Sequence, residues 1–381
     1  MKKYLIAALF ILTLAPSAYA SPEFFWMWAR STPAPSGPAY IRTLTVDHTK
    51  VPNTDQAYFP VLVSLTDATL KTVANSGHVQ NASGYDVEFW SDSGHTTKLD
   101  YEVERYNAST GELIVWVKIP TLSHTADTVF YMTYDDSSVS AFQGNVNGTW
   151  DDGGSNYNKL VWHLPNGTSL SANDSTSNAQ NGTFSTSPPT ATTGQIDGGG
   201  SFNGSTQYIS KTSPTVPTGT TTRTMSCWFK KTATTSSVFC GYGPNSSGSD
   251  TFFLYYYTGY SNLWLSANAS LLKIPWTYDT NMHYLAATLP SGTLLSNCLM
   301  YLDGSPATVT VVTDGTLNTV AGNFTVGVRP DIPGGNNWCM TGTLDEIHLS
   351  STARSADWIK TEWNNQSSPG TFITLGTETG L

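Results

Sequence analysis

Charge is scarce in this 381-residue chain, where Asp, Glu, Lys and Arg together supply 12% of the residues. Basic residues are the scarcer kind, 18 against 28 acids, and two of them, Lys2 and Lys3, stand at the N-terminus. Without those two the net charge is about −12, which excludes nucleic acid as a partner because phosphate binding needs a basic surface. Beyond the first twenty residues no stretch is apolar enough for a membrane helix, so none is expected in the mature chain. Catalytic signatures are missing as well: there is no H-E-x-x-H zinc motif, no G-x-S-x-G elbow and no P-loop, and the seven histidines are scattered. No catalytic residue is nominated.

The residues at the start set the expected compartment. Lys2 and Lys3 precede the apolar run Tyr4 to Leu14, and Ala18-Tyr19-Ala20 offers a small-x-small cleavage site. That is the pattern of a secretory signal peptide over residues 1–20, cleaved near Ala20-Ser21, with a secreted, extracellular or periplasmic product. Cysteine is limited to Cys227, Cys240, Cys298 and Cys339. An even number in an exported chain points to disulfides. Three pairings are open; Cys227 with Cys240 and Cys298 with Cys339 is the expected one, each member lying in or beside a strand-like segment.

Ser, Thr, Asn and Gly are abundant and aromatic residues make up 12%, a balance that suits short strands with polar outer faces. Residues 21–38 read as a stiff Pro-rich leader and 143–156 as a Gly/Asn/Asp linker without an apolar period. Between them, 39–142 holds five runs rich in β-branched and aromatic residues, among them Phe59 to Leu65, Leu113 to Ile119 and Thr128 to Tyr134. An antiparallel sandwich is expected. Glu102 and Glu104 share one face of a strand, and are read as solvent-facing acids or partners of Arg42 or Arg105 rather than as an acid/base pair.

Residues 157–381 continue as short strands, with Asp303-Gly304 as the strongest hairpin signal. The whole is therefore expected to be all-β, two antiparallel β-sandwich domains. In the first domain, Asp86-Val87-Glu88-Phe89, Lys98 to Glu104, Val115 to Pro120 and Phe130 to Tyr134 resemble, in order and spacing, an exported bacterial family of unknown function that often precedes laminin-G-like modules. In the second, the Trp162 segment, the Asp174 turn, Phe202-Asn203-Gly204, the Trp228 strand, His283 to Ala287, Tyr301 to Gly304 and Gly342 to Ile347 resemble the laminin-G-like, concanavalin A-like jelly roll. The tail through Trp358 and Trp363 resembles the end of those copies that accompany the first family.

That resemblance admits glucan hydrolases as well as lectins. Retaining hydrolysis needs two carboxylates about 5 Å apart, carried in such hydrolases as E-x-D-x-x-E, and the motif is absent. Asp345 and Glu346 are neighbours, so a regular strand sends them to opposite faces. The resemblance implies instead a structural Ca²⁺ on Asp345, with Asp174 as second candidate; the competing reading is that Asp345 caps local backbone donors. His163 and His283 are read as satisfied strand histidines. A ligand surface should combine rings with amides and acids, which nominates Trp276 and Tyr278, and Asn336, Asn337 and Trp338. Tyr255-Tyr256-Tyr257 is read as strand rather than platform. The expected function is recognition of a polysaccharide or glycoconjugate. The alternatives are an adhesive or structural component binding a cell-surface protein, and a hydrolase without the usual motif.

Overall fold

A computed structural model describes residues 37–165, 170–244, 250–267, 269–290, 292–330 and 338–381. The expected signal peptide, most of the expected leader, and Asn336 and Asn337 lie outside these described residues.

The first domain is a sandwich of two antiparallel sheets. One holds Tyr40–Val46, Thr128–Tyr134 and Glu88–Trp90; the other holds Gln56–Thr66, Glu112–Leu122 and Tyr101–Asn107 in that spatial order. Strand alternation explains the long apolar runs in the second sheet. Val61, Val63, Val115 and Val117 fill the domain's own core, while Leu62, Ile114 and Trp116 on the opposite face pack with Trp150, Val161 and Ile196. Both faces are covered, so neither needs polar residues.

The second domain is a sandwich of two eight-stranded antiparallel sheets. One sheet has Arg223–Lys231 and Thr341–Ser350 at its centre, with Asn158–Trp162 joined to the latter. The other contains the adjacent strands Ser270–Pro275, Asn262–Ala267, Phe252–Tyr257 and Ser237–Gly243. Between the sheets lies a core of Trp162, Phe229, Phe239, Leu254, Leu265 and Leu344, among others. Asp303 and Gly304 have φ of 50° and 68° and join Leu299–Leu302 to Ser305–Pro306. These are the positive dihedrals a two-residue hairpin turn demands.

The chain's end departs from the expected boundary at 381. Helix Ala356–Ser367, capped by the Ser355 hydroxyl accepting from Trp358 N–H at 3.1 Å, lies against the first domain, and Trp358, Ile359 and Phe372 join that domain's core. Asn365 spans the backbone of Leu62, accepting from its N–H at 2.7 Å and donating to its carbonyl at 3.0 Å. Leu62 lies on the edge strand of its sheet, whose backbone groups would otherwise stay unpaired. Ile373–Leu375 and Thr379–Gly380 then pair with Tyr40–Val46. The last residues therefore complete the first domain.

The cysteines correct part of the expected pairing. Cys227 and Cys240 are neighbouring thiols in the core; burial pushes Cys227 well above its ordinary range, and a hydrogen bond to Cys240 adds to the rise. Cys298 and Cys339 cannot pair. Cys298 precedes a strand that, through Thr288, registers with Thr224, while Cys339 precedes Gly342, which registers with Lys231. They flank opposite ends of one strand, on the order of 20 Å apart at strand rise, against the roughly 4.4–6.8 Å that a disulfide allows. The Cys339 thiol donates instead to the Ser205 carbonyl at 3.0 Å.

Candidate functional site

The aromatic strand Phe252–Tyr257 forms a hairpin with Asn262–Ala267, with Tyr255 opposite Trp264. Alternation sends Phe252, Leu254 and Tyr256 into the core and leaves Phe253, Tyr255 and Trp264 in a cluster on the outer face, with Tyr257 and Trp338 against it. Tyr255 stacks on Trp338 with centroids 5.2 Å apart and planes 13° apart, and on Trp264 at 6.0 Å and 24°. Tyr257 stands 5.5 Å from Trp338 and 6.1 Å from Trp264. These rings line a hollow of about 430 Å³, within the usual range for small-ligand sites.

Polar groups edge the hollow. The Arg329 guanidinium lies 4.9 Å from the Trp338 ring and 5.8 Å from Phe253. Lys273 lies 5.1 Å from Tyr260 and 5.5 Å from Trp264. Trp264 carries a buried indole N–H with no hydrogen-bond partner, a costly arrangement in a finished interior. Burial raises the Tyr255 hydroxyl, so it stays protonated and able to donate. Phe253, Tyr255 and Trp264 are the buried floor, while Tyr257, Tyr260 and Trp338 present more open surface.

Of the nominated ligand residues that are described, Trp276, Tyr278 and Trp338, only Trp338 is placed at this hollow. Trp276 is buried in the sandwich core, edge-on to Phe229 at 5.5 Å and to Tyr256 at 5.4 Å, and Tyr278 packs on it at 6.1 Å. An apolar cleft between the sheets claims both rings, so the expected Trp276 surface is corrected. The tyrosine triplet is a strand as expected, but its alternation is what builds the platform: Tyr255 and Tyr257 share a face and Trp264 meets them across the hairpin. The sequence signal was the two-residue tyrosine spacing followed by a tryptophan in the next strand.

The nominated metal carboxylates are held by N–H and O–H donors. Asp345 is fully buried; one oxygen accepts from Gln195 and Ile196 N–H at 2.7 and 3.0 Å, the other from Glu346 N–H at 2.8 Å. Asp174 accepts from the N–H groups of Val161, Thr176 and Gln180 at 3.0, 3.1 and 2.7 Å and from the Thr176 hydroxyl at 2.9 Å. A calcium ion would have to displace these donors, so Asp345 sits as the backbone cap that was the competing reading.

Strand geometry around Asp345 also differs from the regular case. Glu346 has φ of 47°, and between the pairs Trp228–Asp345 and Ser226–His348 the register slips. This bulge keeps Leu344, Ile347 and Leu349 in the core while Asp345, Glu346 and His348 all leave it on the side facing the first domain.

There they meet Glu102 and Glu104, which are buried rather than solvent-facing. Arg42 pairs with Asp67 at 2.6 Å, and Arg105 with Glu112 and Asp197 at 2.9 and 2.6 Å. Glu102 instead accepts from Trp150 N–H at 2.6 Å and the Ser175 hydroxyl at 2.7 Å; Glu104 accepts from Trp116 N–H at 2.9 Å. His163 has Nδ1 2.9 Å from both Glu346 oxygens and Nε2 3.4 Å from Glu102. His348 has Nε2 2.9 Å from Glu346 and Nδ1 3.2 Å from Glu362. Tyr284 O–H donates to Glu362 at 2.9 Å.

Burial alone would lower both histidines, but the carboxylates overcome it, chiefly Glu346, and hold both above the usual imidazole range. Burial raises Glu104 and Asp345 well above the carboxylate range, whereas His163 overcomes burial to hold Glu102 and Glu346 low. The neighbouring void, bordered by Trp116, Trp150, His348 and Glu362, is about 30 Å³, room for about one water.

Fold and site together define an all-β protein of two domains with an aromatic hollow on one jelly-roll face. Residues 203–360 match the concanavalin A-like lectin/glucanases superfamily, and residues 83–164 match a domain of unknown function (DUF2341), the order expected from the sequence. No curated protein matches the chain. Similar solved structures include domain 4 of AbnA, an extracellular arabinanase of Geobacillus stearothermophilus, in complex with arabinotriose: 17% identity, 54% of this chain and 98% of that one, TM-score 0.42. A SAP-like pentraxin of Limulus polyphemus has 16% identity over 42% of this chain and 78% of its own, TM-score 0.33. The CBM40 of a Ruminococcus gnavus sialidase, bound to α2,3 sialyllactose, has 12% identity over 38% and 83%, TM-score 0.31.

Proposed function

We propose that this is an exported, non-catalytic recognition protein whose concanavalin A-like domain binds a saccharide in the aromatic hollow. One observation carries the reading: Tyr257, Tyr260 and Trp338 stand more openly over the buried floor of Phe253, Tyr255 and Trp264 at a 430 Å³ hollow, offering apolar ring surface to the C–H faces of a sugar ring. Thr251, Ser266 and Arg329 bring polar groups to its lining. The non-catalytic part draws support from the acid-rich seam, where the adjoining void is too small for a sugar.

A glycan array probed with the wild-type chain and with the double variant Tyr257→Ala, Trp338→Ala tests the proposal. Retention of a saccharide signal by wild type and its loss in the folded variant are expected. An equal signal from both removes the hollow from the binding site.

A further inference from the structure

The seam between the domains holds more ligating groups than a structural salt bridge needs. Nδ1 of His163, Nε2 of His348 and a Glu346 carboxylate oxygen converge, and these donor atoms all lie within 4.8 Å of one another. A tetrahedral zinc site, with ligand distances near 2.0–2.2 Å, separates its donors by about 3.3 Å. The present separations of 2.9 Å between the histidine nitrogens and Glu346 are those of hydrogen bonds, and a few tenths of an ångström of relaxation would admit an ion.

A further observation points the same way. The outer nitrogen of each histidine is turned to a second carboxylate, Nε2 of His163 to Glu102 at 3.4 Å and Nδ1 of His348 to Glu362 at 3.2 Å. Metal-bound histidines are oriented by that same outer contact. In addition, Glu104 brings its carboxylate to within 3.8 Å of His163 Nδ1 with its side chain 1% exposed, and its Oε1 has no hydrogen-bond partner. The oxygen at 3.8 Å is Oε2, which already accepts from Trp116 N–H, so Glu104 borders the converging trio from the first domain without joining it.

We propose that His163, His348 and Glu346 of the second domain hold a divalent cation of the zinc class at the seam, with Glu102 of the first domain orienting His163 from outside. The donor set excludes calcium, which takes six to eight oxygens, and suits a metal that accepts imidazole and carboxylate together. Binding releases the protons on the two inward nitrogens as one divalent ion enters, so the buried seam keeps its charge. Because the trio is buried where the two domains meet, with the His163 and Glu346 side chains 5% and 1% exposed, and Glu102 of the first domain holds His163 from outside, the ion's role is to hold the interface.

The test is the metal content of the full mature chain, expressed with added zinc and, separately, unfolded and refolded with Zn²⁺ or Co²⁺ present. About one equivalent per chain is expected, with the visible absorption of tetrahedral Co²⁺, together with proton release. Glu362→Gln, which leaves the three ligands in place, should weaken affinity by about 10–100-fold, while His348→Gln should abolish stoichiometric binding. A wild-type chain that is folded by circular dichroism yet holds less than about a tenth of an equivalent after both treatments overturns the proposal, as does a folded His348→Gln chain that binds as wild type. The wild-type stoichiometry decides the matter even where a variant does not fold.

Discussion

Asn365→Ala is the sharpest probe of how the two domains are joined. The Asn365 amide makes two buried hydrogen bonds to one residue of a sheet edge, 2.7 Å from Leu62 N–H and 3.0 Å to Leu62 C=O. Alanine removes both partners and leaves both backbone groups unpaired, each at about 1–3 kcal/mol. The upper sum is softened because Asn365 also borders the 30 Å³ void, and the vacated space could admit a water that re-pairs one group. A loss of about 2–4 kcal/mol is therefore expected. Urea unfolding of the full chain would show it as a lower midpoint at unchanged slope. Asn364→Ala is the internal control, since it removes one partly exposed bond to the Lys50 carbonyl at 2.7 Å and should cost about 1 kcal/mol or less. A change below about 0.5 kcal/mol for Asn365→Ala would refute the view that this helix stitches the edge strand.

Four further outcomes are expected. In Gly194→Ala the new Cβ would stand 1.7 Å from the Gly198 carbonyl oxygen and 2.5 Å from Asp345 Oδ2, so thermal unfolding should register a loss of about 1–3 kcal/mol or more. Burial pulls Lys231 down to about 7, below its unfolded value, so from about pH 7 to 10 the unfolded chain binds more protons and stability rises with pH; Lys231→Met should flatten that rise in a pH series of urea midpoints. His283 is clamped by Asp303 at 2.8 Å and Asp279 at 2.9 Å, and the Asp303 hydrogen bond leads in raising it. Its stabilisation is thus complete below the unfolded histidine value and fades as pH climbs through the raised one, an effect that His283→Gln should remove. Non-reducing peptide mapping should recover no Cys298–Cys339 link, and finding one would contradict the register of the central sheet.

The strands were legible because apolar alternation is a local property, and Phe59 to Leu65, Leu113 to Ile119 and Tyr255 to Tyr257 all extend as their residue types require. The two matched families occur in the order that their motifs implied. What stayed hidden depends on register and on distant partners. The platform needs Tyr255 opposite Trp264, a pairing that the tyrosine triplet alone does not state. Asp345 and Glu346 share a face only because Glu346 takes a left-handed conformation at a bulge, which nothing in the local pattern announces. Glu102 and Glu104 look like ordinary surface acids until the second domain supplies His163, Ser175 and Glu346. The tail is hidden for the same reason: Ile373–Leu375 pairs with a strand more than 300 residues earlier, and loop closure at that distance leaves no local trace.

The central claim is that the Tyr255 platform is where a saccharide sits, and a crystal structure of the chain with the strongest glycan from the array tests it most directly. The account predicts a sugar ring lying flat against Tyr257 or Trp338, within hydrogen-bond reach of Arg329 or Ser266. Ordered saccharide elsewhere on the molecule, with this hollow holding only solvent, would contradict it.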